Sequence, residues 1–419
     1  MRILIVSNLY PPKVLGGYEI ACAKVADALV ARGHDVTVLT STTEVPHADD
    51  PPWVRRHLVT HWFHPIGTRD GPLTEWRIHR ASCADFGNSA QLIATLRSFR
   101  PDLCYVWNPL GVAGGALLGA INASRVPWTL HLMDNVPEPI ANNMPPHVLS
   151  VFGGRLSDLF APATVISMSE HLLDEIAESV GLRFVEPVEI IPGWFDRPCS
   201  RPHLPYMRDG VARFVAAGTL QSHKGVELII AAAGRLNREG VRLKVDFYGG
   251  GDVGPLVALA NASGAGAVVA IHGPRSQAEL FDIYAESDAF LFPTWEREPF
   301  GFAPVEAAGC GTPPIMTQQC GAAERLVGDV HCIKIDRDID ALAEAMRRVA
   351  RGEVDLARMG RAGAAVVRQD MSFARCMDRI EAVLARCARK PWDRRAVDDP
   401  RLEQLAYLQD MLALQMRFG

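Results

Sequence analysis

The chain opens with an uninterrupted apolar run, Arg2-Ile-Leu-Ile-Val-Ser7, the pattern of a parallel strand covered on both faces. A turn-rich segment carrying Pro11, Pro12, Gly16 and Gly17 follows. From Tyr18 to Ala31 the residues Ile20, Ala21, Val25, Ala28 and Leu29 recur at helical spacing, and Gly33 stops the helix. Val36 to Thr40 returns to a strand and completes a βαβ unit. The alternation continues, with strands predicted at 103–107, 128–131, 163–167 and 189–192. Ser169 is placed to cap a helix running to Val180.

Between Trp194 and Gly210 a polar stretch with three prolines breaks the rhythm and reads as a linker. A second series begins beyond it, with apolar runs at 213–217, 243–248, 267–271, 289–292 and 313–316, each followed by a helical stretch. Two such series predict an α/β protein of two Rossmann-like, doubly wound domains, 1–197 and 198–370, facing across a cleft. Residues 371–419 form a helical tail. In it Leu402, Leu405, Leu408, Met411, Leu412 and Met416 mark an amphipathic helix expected to return to the first domain. The same apolar face also suits a homodimer contact or, with few basic residues beside it, a peripheral membrane contact.

Composition narrows the picture. A net charge of −5 over 419 residues argues against a nucleic-acid partner. The nine cysteines are odd in number and include no C-x-x-C pair, so reduced, buried thiols are expected rather than zinc or disulfide scaffolding. The apolar opening runs straight into Pro11-Pro12 and reads as a strand, not a signal peptide. Leu110 to Ile121 is too short to span a bilayer and reads as a packed helix. These features predict a cytoplasmic protein, with a peripheral position at the inner face of the membrane as the alternative.

In sheets of this kind ligands bind beyond the carboxyl ends of the strands. Glu298 follows the 289–292 run, and Glu306 follows Pro304, a residue suited to a first helical turn. Backbone amides of Phe300, Gly301 and Phe302 can face an anion or sugar hydroxyls there. On spacing alone the two glutamates fit a sugar-binding pair or helix-start carboxylates equally well. Lys224 precedes a helix, where its charge and backbone amides can converge on a diphosphate. Gly16 and Gly17 allow close approach of backbone to phosphate, but they are no dinucleotide fingerprint. His131 ends a strand, with Asp134 and Asn135 just behind. Asp336-Arg-Asp338 has the D-x-D form of some metal sites, but it precedes a helical stretch and reads as a cap.

Taken in order, these segments carry a family resemblance. They are the Pro11-Pro12 and Gly16-Gly17 loop, Ile191-Pro-Gly-Trp-Phe-Asp196, Gly218 with Lys224-Gly225, Tyr248-Gly-Gly-Gly251, His272-Gly-Pro-Arg-Ser276, Ser287-Asp-Ala-Phe-Leu-Phe-Pro293, and Glu298 seven residues ahead of Glu306. The chain resembles the GT-B glycosyltransferases of the large retaining family 4, over most of its length to about Ile380. The resemblance implies a retaining hexosyltransferase that moves a sugar from a nucleoside-diphosphate sugar to a hydroxyl acceptor: a glycan, a lipid-linked glycan or a small molecule. It implies no cofactor and no metal. Glu298 would contact the donor sugar and Glu306 the ribose hydroxyls. Phe300, Gly301 and Phe302 would offer amides to sugar and phosphate, and Lys224 would hold the diphosphate. His131 would act near the reacting centre, with Asp134 and Asn135 toward the acceptor. Many relatives place Arg where this chain has Thr219, and Arg275 is the candidate replacement. The alternatives are a GT-B sugar-nucleotide epimerase or phosphorylase, and a non-catalytic sugar-nucleotide-binding subunit.

Overall fold

A computed structural model describes residues 1–42, 50–61, 83–144, 149, 154–196 and 202–418, with side chains to Met411. The chain divides into two compact units, one formed by residues 1–167, 173–191 and 377–419 and the other by 168–172 and 192–376.

The first unit is built on a parallel seven-stranded sheet. Its strands are β1 (Arg2–Ser7), β2 (Asp35–Ser41), β3 (Val54–Leu58), β4 (Leu103–Asn108), β5 (Trp128–Leu132), β6 (Thr164–Ser167) and β7 (Glu189–Ile190), in the order β3-β2-β1-β4-β5-β6-β7. β1 pairs on one side with β2 (Ile3 opposite Val36) and on the other with β4 (Ile3 opposite Leu103). The order reverses between β1 and β4, which makes that gap the unit's switch point. Chain order supplies the helices α1 (Gly17–Ala31), α2 (Phe86–Phe99), α3 (Gly114–Ser124), α4 (Pro137–Asn143), α5 (Leu156–Phe160) and α6 (Glu170–Val180). The predicted packed helix near 110–121 is α3, and Leu117, Leu118 and Ile121 on it are fully buried.

The second unit is a parallel six-stranded sheet. It contains β8 (Ala212–Ala217), β9 (Leu243–Tyr248), β10 (Val269–His272), β11 (Ala289–Phe292), β12 (Pro314–Thr317) and β13 (Ile333–Ile335), in the order β10-β9-β8-β11-β12-β13. Its helices are α7 (Val226–Arg238), α8 (Val253–Ala262), α9 (Gln277–Ala285), α10 (Phe302–Gly309), α11 (Ile339–Ala350) and α12 (Leu356–Asp370). Phe214, Val245, Phe247, Leu291 and Ile315 from the strands pack with Ile229, Ile230, Leu342 and Met346 from α7 and α11. Asp338 accepts from the Ala341 amide at 2.7 Å, so half of the D-x-D sequence is a helix cap, as its position suggested.

Two helices follow, α13 (Phe373–Ala388) and α14 (Arg401–Phe418). From Met377 onward the chain belongs to the first unit. Glu381 and Asp378 of α13 hold Arg32 at 2.6 and 2.7 Å, and Glu381 also meets His34 at 2.8 Å. On α14, Leu402 and Ala406 bury against Ile93 of α2, and Arg97 pairs with Glu403 at 2.5 Å. The last helix thus returns to the first domain. Among the described residues no helix is long and apolar enough to cross a membrane. Among the described residues seven cysteines are buried thiols outside any disulfide. Cys310 departs from the expected pattern of reduced thiols: it is disulfide-bonded, and a bond of this kind depends on the spatial approach of two cysteines, which spacing along the chain does not encode.

His131 on β5 is fully buried. Its Nδ1 shares a hydrogen bond of 2.6 Å with the Tyr105 hydroxyl, and its ring lies 4.4 Å from that of Trp107. The Tyr18 hydroxyl donates to the backbone carbonyls of Trp107 at 2.6 Å and His131 at 3.2 Å, closing the cluster. Nε2 has no hydrogen-bond partner among the described residues. A charged imidazolium here would lose its hydration, and burial lowers the His131 pKa to about 3. A free histidine titrates near ~6.5, so between the two values the unfolded chain binds the extra proton. Stability from this site is therefore complete above the free value and falls as the pH drops through the window. Replacing His131 with Asn removes the proton uptake. The melting temperature of the unsubstituted protein should fall more steeply than that of His131→Asn between about pH 7 and pH 4.5. Parallel pH profiles would contradict the buried, neutral imidazole.

Candidate functional site

The second sheet reverses its winding between β8 and β11. At such a switch point the connections leave in opposite directions and open a crevice beyond the carboxyl ends of the strands. Lys224 comes from the loop after β8 and Glu298 from the loop after β11. Their side chains meet, with the Lys224 ammonium donating to Glu298 Oε2. The Thr294 hydroxyl donates to the same oxygen at 3.0 Å. Glu298 is only 7% exposed, so this carboxylate is compensated on two sides by a cation and a hydroxyl.

Backbone contacts lock the two loops together. The Trp295 amide donates to the His223 carbonyl at 2.9 Å, and the Thr294 hydroxyl lies 3.4 Å from that carbonyl. Gly225 adopts φ +73, and a Cβ there would stand 2.2 Å from the Pro293 carbonyl oxygen. Only glycine lets the turn before α7 approach the end of β11 so closely. His223 lies beside this contact, and burial, followed by the neighbouring Lys224 charge, pushes its pKa below the usual histidine range. The Lys224 ammonium also stands 5.7 Å from the centroid of the Phe292 ring.

The start of α10 is set just as tightly. Gly301 caps it at φ +93, and a Cβ would meet the Phe292 ring at 2.8 Å. Phe300 is 2% exposed and anchors the turn, and its carbonyl accepts from Ala322 at 2.8 Å. Helix geometry leaves the first amides of α10, from Phe302 on, without an intrahelical acceptor, and no acid stands in its first turn. Glu306 is the fifth residue of α10, just past the first turn in which the sequence placed it. Its Oε1 accepts from Gln277 Nε2 at 2.6 Å.

Residues 168–172 join the second unit at this loop. Ser169 donates to the Pro299 carbonyl at 2.6 Å and caps its helix by accepting from Leu172 at 3.1 Å. His171 Nε2 lies 2.5 Å from the Glu296 carbonyl, and Glu324 accepts from the Glu170 and His171 amides at 3.1 and 2.6 Å. The residues flanking Glu298 are thus held from outside their own segment. Thr294, Gln277, Ser169 and Glu324 are supports of the candidate site that sequence reasoning did not place there. None lies in a motif, and only Ser169 carried a signal, as a cap.

The other predicted residues are placed as follows. Thr219 is exposed just past β8. Arg275 is exposed past β10, its guanidinium 5.8 Å from the Tyr248 ring centroid. Tyr248 stacks on His272 at 4.5 Å, and His272 meets Asp246 at 2.8 Å. In the first unit, Gly16 caps α1 and Gly17 begins it. The amides of Leu15 and Gly16 donate to Glu19 Oε2 at 3.2 and 3.0 Å, so a carboxylate already sits where an anion would bind. Asp134 is exposed after β5. Asn135 is buried, donating to Glu175 and Ser179 of α6 at 3.1 and 3.0 Å and accepting from the Glu138 amide at 3.1 Å. His131 stands in the closed cluster described above.

Two family models match the chain, one for Glycosyltransferase Family 4 over residues 15–197 and one for Glycosyl transferases group 1 over residues 207–366. A glycogen synthase of Mycobacterium tuberculosis (strain H37Rv) is 27% identical over 372 residues, covering 83% of this chain and 86% of that protein. A D-inositol 3-phosphate glycosyltransferase of Xylanimonas cellulosilytica is 24% identical over 346 residues, covering 77% and 80%. Sucrose-phosphate synthase from Thermosynechococcus elongatus shares the fold with a TM-score of 0.69 at 17% identity, covering 92% of this chain and 98% of that one. Anabaena HepE, solved with UDP and glucose, does so with a TM-score of 0.65 at 19% identity, covering 92% and 100%. Two doubly wound parallel sheets, a Lys–Glu pair at the second switch point and both family matches lead to one conclusion: the chain is a GT-B glycosyltransferase and belongs to family 4, the group 1 glycosyl transferases.

Proposed function

We propose that the protein transfers a hexose from a nucleoside-diphosphate sugar to a hydroxyl acceptor with retention of anomeric configuration. The observation that carries this reading is the convergence of Lys224 and Glu298 at the β8/β11 switch point, beside the N-terminus of α10. A diphosphate leaving group needs positive charge and oriented donors where its negative charge grows. Lys224 supplies the first and the α10 amides the second. With both supplied by the chain, the transfer is assigned no metal. Glu298 is positioned toward the sugar, where a fixed carboxylate stabilises the oxocarbenium-like carbon. Glu306 takes the ribose hydroxyls.

In the reaction the bond from the anomeric carbon to the diphosphate oxygen breaks, and the acceptor oxygen bonds to the same face. The acceptor proton passes to the departing diphosphate. The relatives fit this reading: HepE was solved with UDP and glucose, and a glycogen synthase is among them. A glycan or other hydroxyl compound is the proposed acceptor, with the exposed Asp134 on its side.

Purified protein should turn over one member of a panel of UDP-, GDP-, ADP- and dTDP-sugars. Glu298→Gln keeps the volume and the Thr294 contact, yet should lower kcat about 100- to 1,000-fold, the usual cost of one transition-state contact. Lys224→Ala should lower kcat/KM by a similar factor of about 100 or more. Full activity in either variant would refute the site, and a transfer product of inverted configuration would refute the mechanism.

The family resemblance implies a second cation where this chain has Thr219. Thr219→Arg should tighten nucleoside-diphosphate binding about tenfold, the worth of one charge-assisted contact. Arg275→Ala should weaken the nucleoside diphosphate more than the nucleoside. Equal losses for both ligands, read by calorimetry, would remove Arg275 from the phosphate.

A further inference from the structure

The loop between β10 and α9 delivers two side chains from adjacent sites. Arg275 lies over Tyr248, whereas Gln277, the first residue of α9, reaches across to α10 and holds Glu306. The start of α9 is rigid. Ser276 Oγ accepts from the Glu279 amide at 3.3 Å, and Glu279 Oε2 accepts from the Ser276 amide at 2.8 Å, a reciprocal capping box. Gln277 is thus fixed at its backbone, and Glu306 stands on a helix whose own start is set by Gly301 and the buried Phe300. The 2.6 Å amide–carboxylate bond joins these two anchored elements.

We infer that Gln277 is a positioning residue for ribose recognition: by fixing Glu306 Oε1 it sets the plane of the carboxylate that takes the ribose hydroxyls, and so favours ribonucleotide over 2′-deoxyribonucleotide donors. This rests on the assignment of Glu306 to the ribose made above. A primary amide suits the task because it donates without adding charge. A lysine or arginine at 277 would neutralise the carboxylate. Gln277 leaves the negative charge of Glu306 in place to attract two hydroxyl protons. A carboxylate already oriented loses less rotational freedom when the ligand arrives, so the amide's contribution appears as affinity for the hydroxyls and not for the phosphates.

The test is calorimetric titration of the full-length chain with UDP, GDP and ADP, each against its 2′-deoxy counterpart. The unsubstituted protein should prefer the ribo form, and Glu306→Ala should abolish that preference. Gln277→Leu should reduce the preference about fivefold to tenfold, with a smaller loss of about twofold to threefold for the deoxy form, which keeps one of the two hydroxyls. A merely structural role would weaken both forms alike. Gln277→Glu supplies a second check. Facing Glu306 it should lose the preference at about pH 7.5 and recover part of it near pH 5.5, where one carboxyl of the pair is protonated and donates in the amide's place. Full discrimination in Gln277→Leu, with discrimination lost in Glu306→Ala, would overturn the role of Gln277 alone. Discrimination kept in Glu306→Ala would overturn the ribose assignment and this inference with it. Binding of none of the six nucleotides would overturn the donor site itself.

Discussion

The second unit is organised around one ion pair. Lys224 and Glu298 come from loops that leave adjacent strands in opposite directions, and the reversal of winding between β8 and β11 brings them together. Burying a carboxylate as deeply as Glu298 without compensation would cost several kcal/mol, on the order of the penalty for an uncompensated buried charge. Lys224 and Thr294 remove that penalty from two directions. The same contacts fix the site's geometry. Gly225 against Pro293 and Trp295 against His223 hold the two loops in register, so neither charged group can shift alone. A buried polar pair held in this way defines one arrangement of its surroundings.

Around the pair lies a ring of support drawn from elsewhere in the unit. Ser169 and His171 bind the backbone carbonyls on either side of Glu298, Glu324 holds the Glu170 and His171 amides, and Gln277 binds Glu306. Preorganisation of this kind matters most for electrostatic catalysis, where a donor displaced by a fraction of an ångström loses much of its effect. The α/β framework supplies it cheaply. Parallel strands buried on both faces are stiff, and the loops at their carboxyl ends inherit that stiffness through short connections.

Much of the frame was legible in the sequence, because burial writes apolar runs such as Arg2–Ser7 and Leu243–Tyr248 directly into the chain. The elements that escaped were those that burial marks weakly. β3, Val-Arg-Arg-His-Leu, is a polar edge strand, and β13 is three residues long with Lys334 at its centre. At the site, Glu298, Glu306 and Lys224 stood out by residue type and spacing. Their partners did not, because the Gln277–Glu306 and Ser169–Pro299 contacts join segments far apart in sequence. Glu19 was within reach: three residues past Gly16, it stands at the spacing of a capping carboxylate.

That glutamate separates two helix starts that look alike in sequence. Both α1 and α10 begin after a glycine in a loop leaving a strand, and each has the geometry of an anion site. At α1 the Glu19 carboxylate accepts from the Leu15 and Gly16 amides, so a phosphate arriving there meets a negative charge and donors already engaged. At α10 no acid occupies the first turn. Glu298, in the loop that leads into the helix, is bound by Lys224, whose ammonium brings positive charge to that loop. In the proposed reaction, electrostatics would therefore direct a diphosphate to the second unit's helix. It leaves the glycine pair of the first unit a structural task, the tight turn from which α1 departs.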